Sequence, residues 1–342
     1  MRCEIFGART PGKVLFAPCG TGKLFPNVAK RKKAVKSSKK SVPTRPRRTS
    51  KGLESSKIAD RSPDKQLNLY KGNPYIIPNL NRTYNNPKKA KIARDMLERY
   101  TGSAPSKFKK QIILTNFEYY VERFHSLCGS EKTRGSAMTV VHSDSADVTV
   151  VNFSIGSPMA ALAMELISIV EPKAVLFLGM CGGLHRTLKK GDFIVPTAAI
   201  RDEGASIHFM PHNVPALPTF KIQKFVSEIV VERGLDYRTG VIHTMDYRFW
   251  EFDEKFKAQL YEERALGIDM ETATLFVAGF ASKVPIGALL LVSDLPLKRG
   301  GIKTKKSASS VFKTFTDLHL EIGIKAMSEI SEKGEHIRHY KW

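Results

Sequence analysis

No stretch of this 342-residue chain is apolar for the roughly 20 residues that a bilayer-spanning helix needs, which excludes a membrane-spanning helix. Cysteine is scarce: Cys3, Cys19, Cys128 and Cys181 are scattered, with no C-x-x-C pair. That excludes a disulfide scaffold and fits free thiols in a reducing compartment, so a cytoplasmic protein is expected. Acids are sparse at the N-terminus, where residues 1–61 carry three (Glu4, Glu54, Asp60) against seventeen Lys/Arg, a net of +14. The rest of the chain carries only +8 of the total +22, so the charge is no reason to read the whole protein as a nucleic-acid binder. The segment Val14-Leu15-Phe16-Ala17 is stopped by Pro18, too short for a signal peptide. There is no G-x-G-x-x-G motif, no Walker loop and no internal repeat. The pairs His208-x-x-x-His212 and His336-x-x-His339 lack an acid or cysteine at metal spacing, and Pro211 breaks the first pair's helix; neither a metal nor a cofactor is expected.

What is present is enough for a large core, since 42% of the residues are apolar. Residues 1–85 read as a disordered basic tail, a solvated linker or a nonspecific polyanion contact; a transit peptide has a similar composition, but no clear amphipathic helix is found there. Order is expected over 86–342, as one catalytic domain opening with a charged amphipathic helix at Lys88–Tyr100. Strands are expected at Gln111–Thr115, Val148–Phe153, Ala174–Gly179, Asp192–Thr197, Gly240–Thr244, Ala265–Asp269 and Ile286–Val292. Helices are expected at Phe117–Leu127, Pro158–Val170, Pro218–Arg233, Phe252–Arg264, Glu271–Ser282 and Ser307–Lys333. Runs such as Ala174-Val175-Leu176-Phe177 are apolar without alternation, as in strands covered on both faces. The expected fold is α/β, a three-layer α/β/α domain around a central twisted mixed sheet.

Several segments carry candidate chemistry. Ser154-Ile155-Gly156-Ser157-Pro158 joins a strand to a helix; Gly156 permits close approach, Ser157 can cap, and free amides there can bind phosphate, although a plain strand–helix turn reads the same way. Gly179-Met180-Cys181-Gly182-Gly183 follows the next strand, where glycines leave room for a base or sugar against the backbone; Cys181 reads as a small packing residue. Met245-Asp246-Tyr247-Arg248-Phe249-Trp250-Glu251 is an aromatic and cationic cluster. Tyr247 and Trp250 can sandwich a base and Arg248 can fork onto an anion, unless Trp250 is simply core. Arg201 is a second candidate anion clamp. Glu271 and Asp294 each end a strand, and two acids with two glycine turns suit the ligand crevice of an α/β sheet better than two unrelated caps. One carboxylate can accept from the cis hydroxyls of a ribose, while a second, kept protonated, can donate to a purine nitrogen.

Together Gly179-Met180-Cys181-Gly182-Gly183, Met270-Glu271 and Ser293-Asp294 resemble the purine nucleoside phosphorylase/nucleosidase superfamily. Within it the likeness runs from about Lys88 to the C-terminus towards the AMP nucleosidases, through Ile112-Ile113-Leu114-Thr115-Asn116-Phe117, Gly191-Asp192-Phe193-Ile194-Val195-Pro196, Arg201-Asp202-Glu203-Gly204, Arg248-Phe249-Trp250-Glu251 and Ile268-Asp269-Met270-Glu271-Thr272-Ala273-Thr274. The resemblance implies that Glu271, ionised, holds the ribose hydroxyls and that Met270 packs beneath the sugar. It also implies that Asp294, beside Ser293, protonates the purine. Phosphorylases place an Arg and a Ser around this glycine segment for the attacking phosphate; here those places hold Phe177 and Met180, which points to water. The expected substrate is therefore a small-molecule nucleotide, AMP, cleaved to adenine and ribose 5-phosphate, by a homo-oligomer built from dimers, as large as a hexamer. Action on an unphosphorylated nucleoside, or a non-catalytic nucleotide sensor, are the alternatives.

Overall fold

A computed structural model describes residues 86–128, 130–303 and 305–333, without the side chains of 305–308. The tail expected over 1–85, its polyanion contact, Cys3, Cys19 and the His336/His339 pair lie outside the described residues. Helix α1 (Pro87–Thr101) begins where the Asn86 side chain accepts from the Lys89 amide at 3.1 Å, with proline in the first turn. It ends on Gly102 at φ 69°, whose amide closes onto the Glu98 carbonyl. There follow β1 (Gln111–Thr115), α2 (Glu118–Cys128), β2 (Lys132–Arg134), β3 (Thr139–Ser143), β4 (Val148–Asn152) and α3 (Ser157–Ile167). Next come β5 (Ala174–Gly183), β6 (Phe193–Asp202), α4 (Phe220–Glu232), β7 (Tyr237–Met245) and α5 (Glu254–Glu262). The last elements are β8 (Gly267–Asp269), α6 (Thr272–Ser282), β9 (Ile286–Asp294) and α7 (Lys305–Glu332).

The nine strands form one mixed sheet in the order β2-β3-β4-β1-β5-β8-β7-β6-β9, and β9 returns to pair with β5. Strands β5, β8, β7, β6 and β9 therefore close into a ring, and β2, β3, β4 and β1 extend from it as an open wing. Pairing is parallel for β1/β4, β1/β5, β5/β9, β6/β7 and β7/β8, and antiparallel for β2/β3, β3/β4, β5/β8 and β6/β9. Closure leaves β5 and β9 without a free edge, and their side chains are covered on both faces.

Alternate residues of single strands pack in different layers. Ile112, Leu114, Val175, Phe177, Leu290 and Val292 pack with α1, α3 and α6, whereas Ile113, Leu176, Leu178, Leu289 and Leu291 pack with α2, α4 and α7. This is the expected three-layer α/β/α arrangement, and it explains the unbroken apolar runs: both pleat faces are interior. The second layer also buries a polar trio. Tyr120 donates to His319 Nδ1 (2.7 Å) and His319 Nε2 donates to the Leu289 carbonyl (2.9 Å), so the imidazole is neutral and all its capacity is used.

Four strands differ from expectation. Strands β2 and β3 were not expected; β2 is three residues with Lys132 and Arg134 exposed, and only its pairing to β3 makes it a strand. Strand β5 runs on through the glycine segment to Gly183, with a register shift between Cys181 and Gly182, so that segment is not a turn. Strand β6 continues to Asp202 and therefore contains Arg201.

Candidate active site

The carboxyl ends of β8 and β9 hold the two acids. Glu271 follows β8 at the N-cap position of α6 and is 1% exposed. Its Oε1 accepts from the Gly156 amide at 2.7 Å, its Oε2 from the Met270 amide at 3.3 Å, and the Asn116 side chain adds a further bond. Gly156 can offer that amide because it sits at φ 96°, where a side chain is disfavoured. The donor expected to be free for phosphate is thus spent on Glu271. Ser157, expected as a cap, instead donates to the Met270 carbonyl at 2.7 Å and ties α3 to this turn.

Two residues before Glu271 lies a second buried acid. Asp269 accepts from Thr244 Oγ1 (2.7 Å) and from the Thr272 amide (3.0 Å) and hydroxyl, which makes it the cap of α6. Burial first, then the nearby Asp269 charge, push the Glu271 carboxyl up to about 8. In the unliganded site Glu271 is therefore largely protonated at neutral pH, which corrects the expectation of a permanent carboxylate. The Gly156, Asn116 and Met270 donors pull the other way, towards the ionised form.

Asp294 ends β9 and is 6% exposed. Ser293 donates to its Oδ1 at 2.6 Å. Burial raises its pKa; the Ser293 bond and the charges of Lys303 and Arg248 pull the other way. A carboxyl whose burial disfavours ionisation, at a strand end, is suited to general-acid chemistry. Cys181 lies in the same region, and burial raises its thiol well above the ordinary range, so it is a packing residue and not a nucleophile.

The remaining sequence candidates divide. Arg201 is 6% exposed and its guanidinium is consumed by one loop. Nε donates to Ser206, Nη1 to the carbonyls of Pro211, His212 and Val214, and Nη2 to that of Met210. No bidentate fork remains for a phosphate, so the expected clamp is a loop brace. Arg248 is half-exposed, pairs with the buried Glu251 through Nη1, and its charge is felt at Asp294. Trp250 packs with Met245, Leu260, Ile268 and Phe256, at 5.9 Å between ring centres for Phe256, so it is core; Tyr247 is 60% exposed. The glycine segment is filled by protein. A Cβ on Gly179 would lie 2.3 Å from the Phe177 ring, and one on Gly183 2.9 Å from Val292. These glycines make room for neighbouring side chains and not for a base, a correction to the open-crevice reading.

Phe177 itself is fully buried against Phe153, 6.0 Å between ring centres, and Met180 is 6% exposed. Sequence reasoning missed three residues: Asp269; Asn116, whose Oδ1 is buried without a partner; and Lys303, whose Nζ lies 3.3 Å from Ser293 Oγ. Asn116 stands directly after β1, a strand end like the others, and that was the available signal. Nothing local marks Lys303 among the many lysines.

Residues 110–322 match the family model described as the phosphorylase superfamily. The chain belongs to that superfamily. It is 39% identical to an AMP nucleosidase structure from Bacteroides thetaiotaomicron, covering 72% of this chain and 98% of that one, at a TM-score of 0.64. It is 28% identical over 293 residues to the AMP nucleosidase of Escherichia coli K12, covering 72% of this chain and 60% of that protein. This phosphorylase-superfamily chain thus spans about three fifths of the length of that curated relative. A uridine phosphorylase from Vibrio fischeri shares the fold at 19% identity and a TM-score of 0.60, over 70% of this chain and 98% of its own.

Proposed function

We propose that this member of the phosphorylase superfamily hydrolyses the N-glycosidic bond of AMP to adenine and ribose 5-phosphate. The observation that carries the reading is the pair of buried carboxyls at the ends of β8 and β9, with apolar residues where phosphorylases hold their phosphate. Asp294, whose burial favours the protonated form and which Ser293 orients, gives a proton to the purine as the bond to the sugar lengthens. Glu271, held by the Gly156 and Met270 amides, accepts the ribose hydroxyls and, once ionised, faces the oxocarbenium-like charge that develops at the sugar. Met270 packs beneath the ring. Phe177 and Met180 offer no hydrogen-bond donor to an attacking phosphate, so water is the nucleophile. Arg248, whose Nε and Nη2 meet no acceptor among the described residues, is the remaining candidate for an anionic group of the substrate, and Tyr247 for a stacking contact. The names of the two nucleosidase relatives support AMP as substrate.

One observation favours a second reading, phosphorolysis of an unphosphorylated nucleoside: the Lys303 ammonium stands 3.8 Å from Met180 Sδ, where an anion could be met. Chromatographic product analysis with AMP, adenosine and inosine, each with and without inorganic phosphate, decides between them. Ribose 5-phosphate released without phosphate supports hydrolysis; a strict phosphate requirement with a 1-phosphorylated sugar overturns it.

The same reading includes a homo-oligomer in the cytoplasm. Phe249, Phe252 and Tyr261 are each more than half exposed, an apolar surface that self-association would cover. No helix among the described residues is long and apolar enough to cross a membrane.

A further inference from the structure

Lys303 is a half-buried cation that the reaction as described above leaves unused. It lies in the loop after β9, with Nζ 5.3 Å from the Phe117 ring centre and 5.8 Å from that of Phe312. Its hydrogen-bond contacts are Ser293 Oγ at 3.3 Å and Met180 Sδ at 3.8 Å, and no carboxylate of the described residues is ion-paired with it. Burying an ammonium is costly unless an anion compensates it. Here burial lowers its pKa and the nearby Asp294 raises it.

The donor inventory fixes what this contact means. An ammonium only donates, so Ser293 Oγ is the acceptor of the Lys303 bond. The serine has one hydrogen of its own; Asp294 Oδ1 at 2.6 Å and the Cys181 carbonyl at 3.3 Å both face it, and the much shorter contact to Asp294 takes it. Oδ1 is therefore held as an acceptor, and the proton that Asp294 carries sits on Oδ2. When that proton leaves, negative charge appears on a carboxylate already joined through Ser293 to a positive charge.

We propose that Lys303 is a positioning residue for Asp294: through the Ser293 hydroxyl it fixes which carboxyl oxygen bears the transferable proton and steadies the carboxylate left when that proton departs. This deepens, and rests on, the reading of Asp294 as the general acid. The charged and titratable groups facing the pair are Arg248 and Glu251 from the loop after β7 and Cys181 from β5; of them only Cys181 touches Ser293, through its backbone carbonyl 3.3 Å from Oγ and not through its thiol. Arg248 and Glu251 pair with each other, so the uncompensated charge next to Ser293 is that of Lys303.

The test uses the full chain and the variants Lys303→Met, Lys303→Arg and Ser293→Ala. Infrared difference titration follows the protonated carboxyl band of Asp294, identified by its absence in Asp294→Asn. In Lys303→Met the band should persist to a pH about one unit higher, because a neighbouring positive charge is lost; Lys303→Arg should restore it. Ser293→Ala should shift it in the same direction, and Lys303→Met added to Ser293→Ala should shift it no further, since the two act as one chain. With AMP, kcat should fall about tenfold in Lys303→Met with KM little changed, and the alkaline limb of the pH profile should move up with the band. A band that titrates identically in wild type and Lys303→Met overturns the proposal, as does full additivity with Ser293→Ala. An Asp294→Asn protein with normal turnover would overturn the general acid instead, while the infrared shift would still decide the coupling to Lys303.

Discussion

AMP binding should release a proton at neutral pH, and the release should depend on Asp269. Glu271 is pushed up to about 8 by burial and by Asp269, yet two ribose hydroxyls are best accepted by the ionised carboxylate. A group titrating near 8 is ionised in about one molecule in ten at pH 7, so affinity there is about tenfold below its alkaline limit, or about 1.4 kcal/mol. The raised acid is protonated below its folded pKa and ligand binding selects the ionised form, so affinity must rise with pH and level off above about 8. Asp294→Asn slows cleavage of bound AMP, so titration calorimetry is done in that background across roughly pH 6 to 9 in buffers of different ionisation heat. Nearly one proton should be released per AMP at pH 7, with affinity rising about tenfold per unit below the plateau. Asp269→Asn, in the same background, should lower the Glu271 pKa, flatten the dependence and tighten binding at pH 7. Glu271→Gln should bind weakly with no slope in this range. A wild-type affinity that is flat from pH 6 to 9, or a slope that survives Glu271→Gln, would refute the reasoning.

Three other outcomes follow from the geometry. Asp294→Asn should reduce kcat by roughly 10²–10⁴-fold with little change in KM, because an amide still hydrogen-bonds but delivers no proton; near-normal steady-state turnover would remove Asp294 from the role. Arg201→Ala should impair AMP and adenosine use alike and lower the melting temperature, since its donors hold the 206–214 loop; a loss confined to AMP would return it to the phosphate. His319 is held neutral in the fold, its pKa lowered from 6.5 to about 3 by burial, so the unfolded chain binds the extra proton first. Stability to urea should therefore decline as pH falls from about 6.5 towards about 3, and His319→Gln should show a shallower decline over that window; parallel declines would contradict it.

The superfamily likeness was readable because its motifs lie where local sequence is informative. Apolar runs without alternation at Gln111–Thr115, Ala174–Gly179 and Ile286–Val292 identify strands covered on both faces, and an acid at the end of such a run is conspicuous. Glu271 and Asp294 were found that way, and so was the three-layer architecture. The short strands β2 and β3 were missed because three or five residues carry too little pattern, and pairing alone makes them strands. Arg201 looked like a clamp because sequence reports that a charge is present, not where its hydrogen bonds go.

What the sequence determined by itself is the order of the longer elements, their layers and the two acids, since periodicity, caps and strand ends act over a few neighbouring residues. Tertiary structure alone decided how donors and space were allotted. It gave the Gly156 amide to Glu271, the Arg201 guanidinium to five acceptors in one loop, the volume over Gly179 to the Phe177 ring, and the Lys303 charge to Ser293. The Gly156–Glu271 bond joins groups from opposite halves of the domain, and the Arg201 and Lys303 contacts are set by how the loops after β6 and β9 fold back; a buried polar group or void is satisfied by whatever the closed fold places beside it.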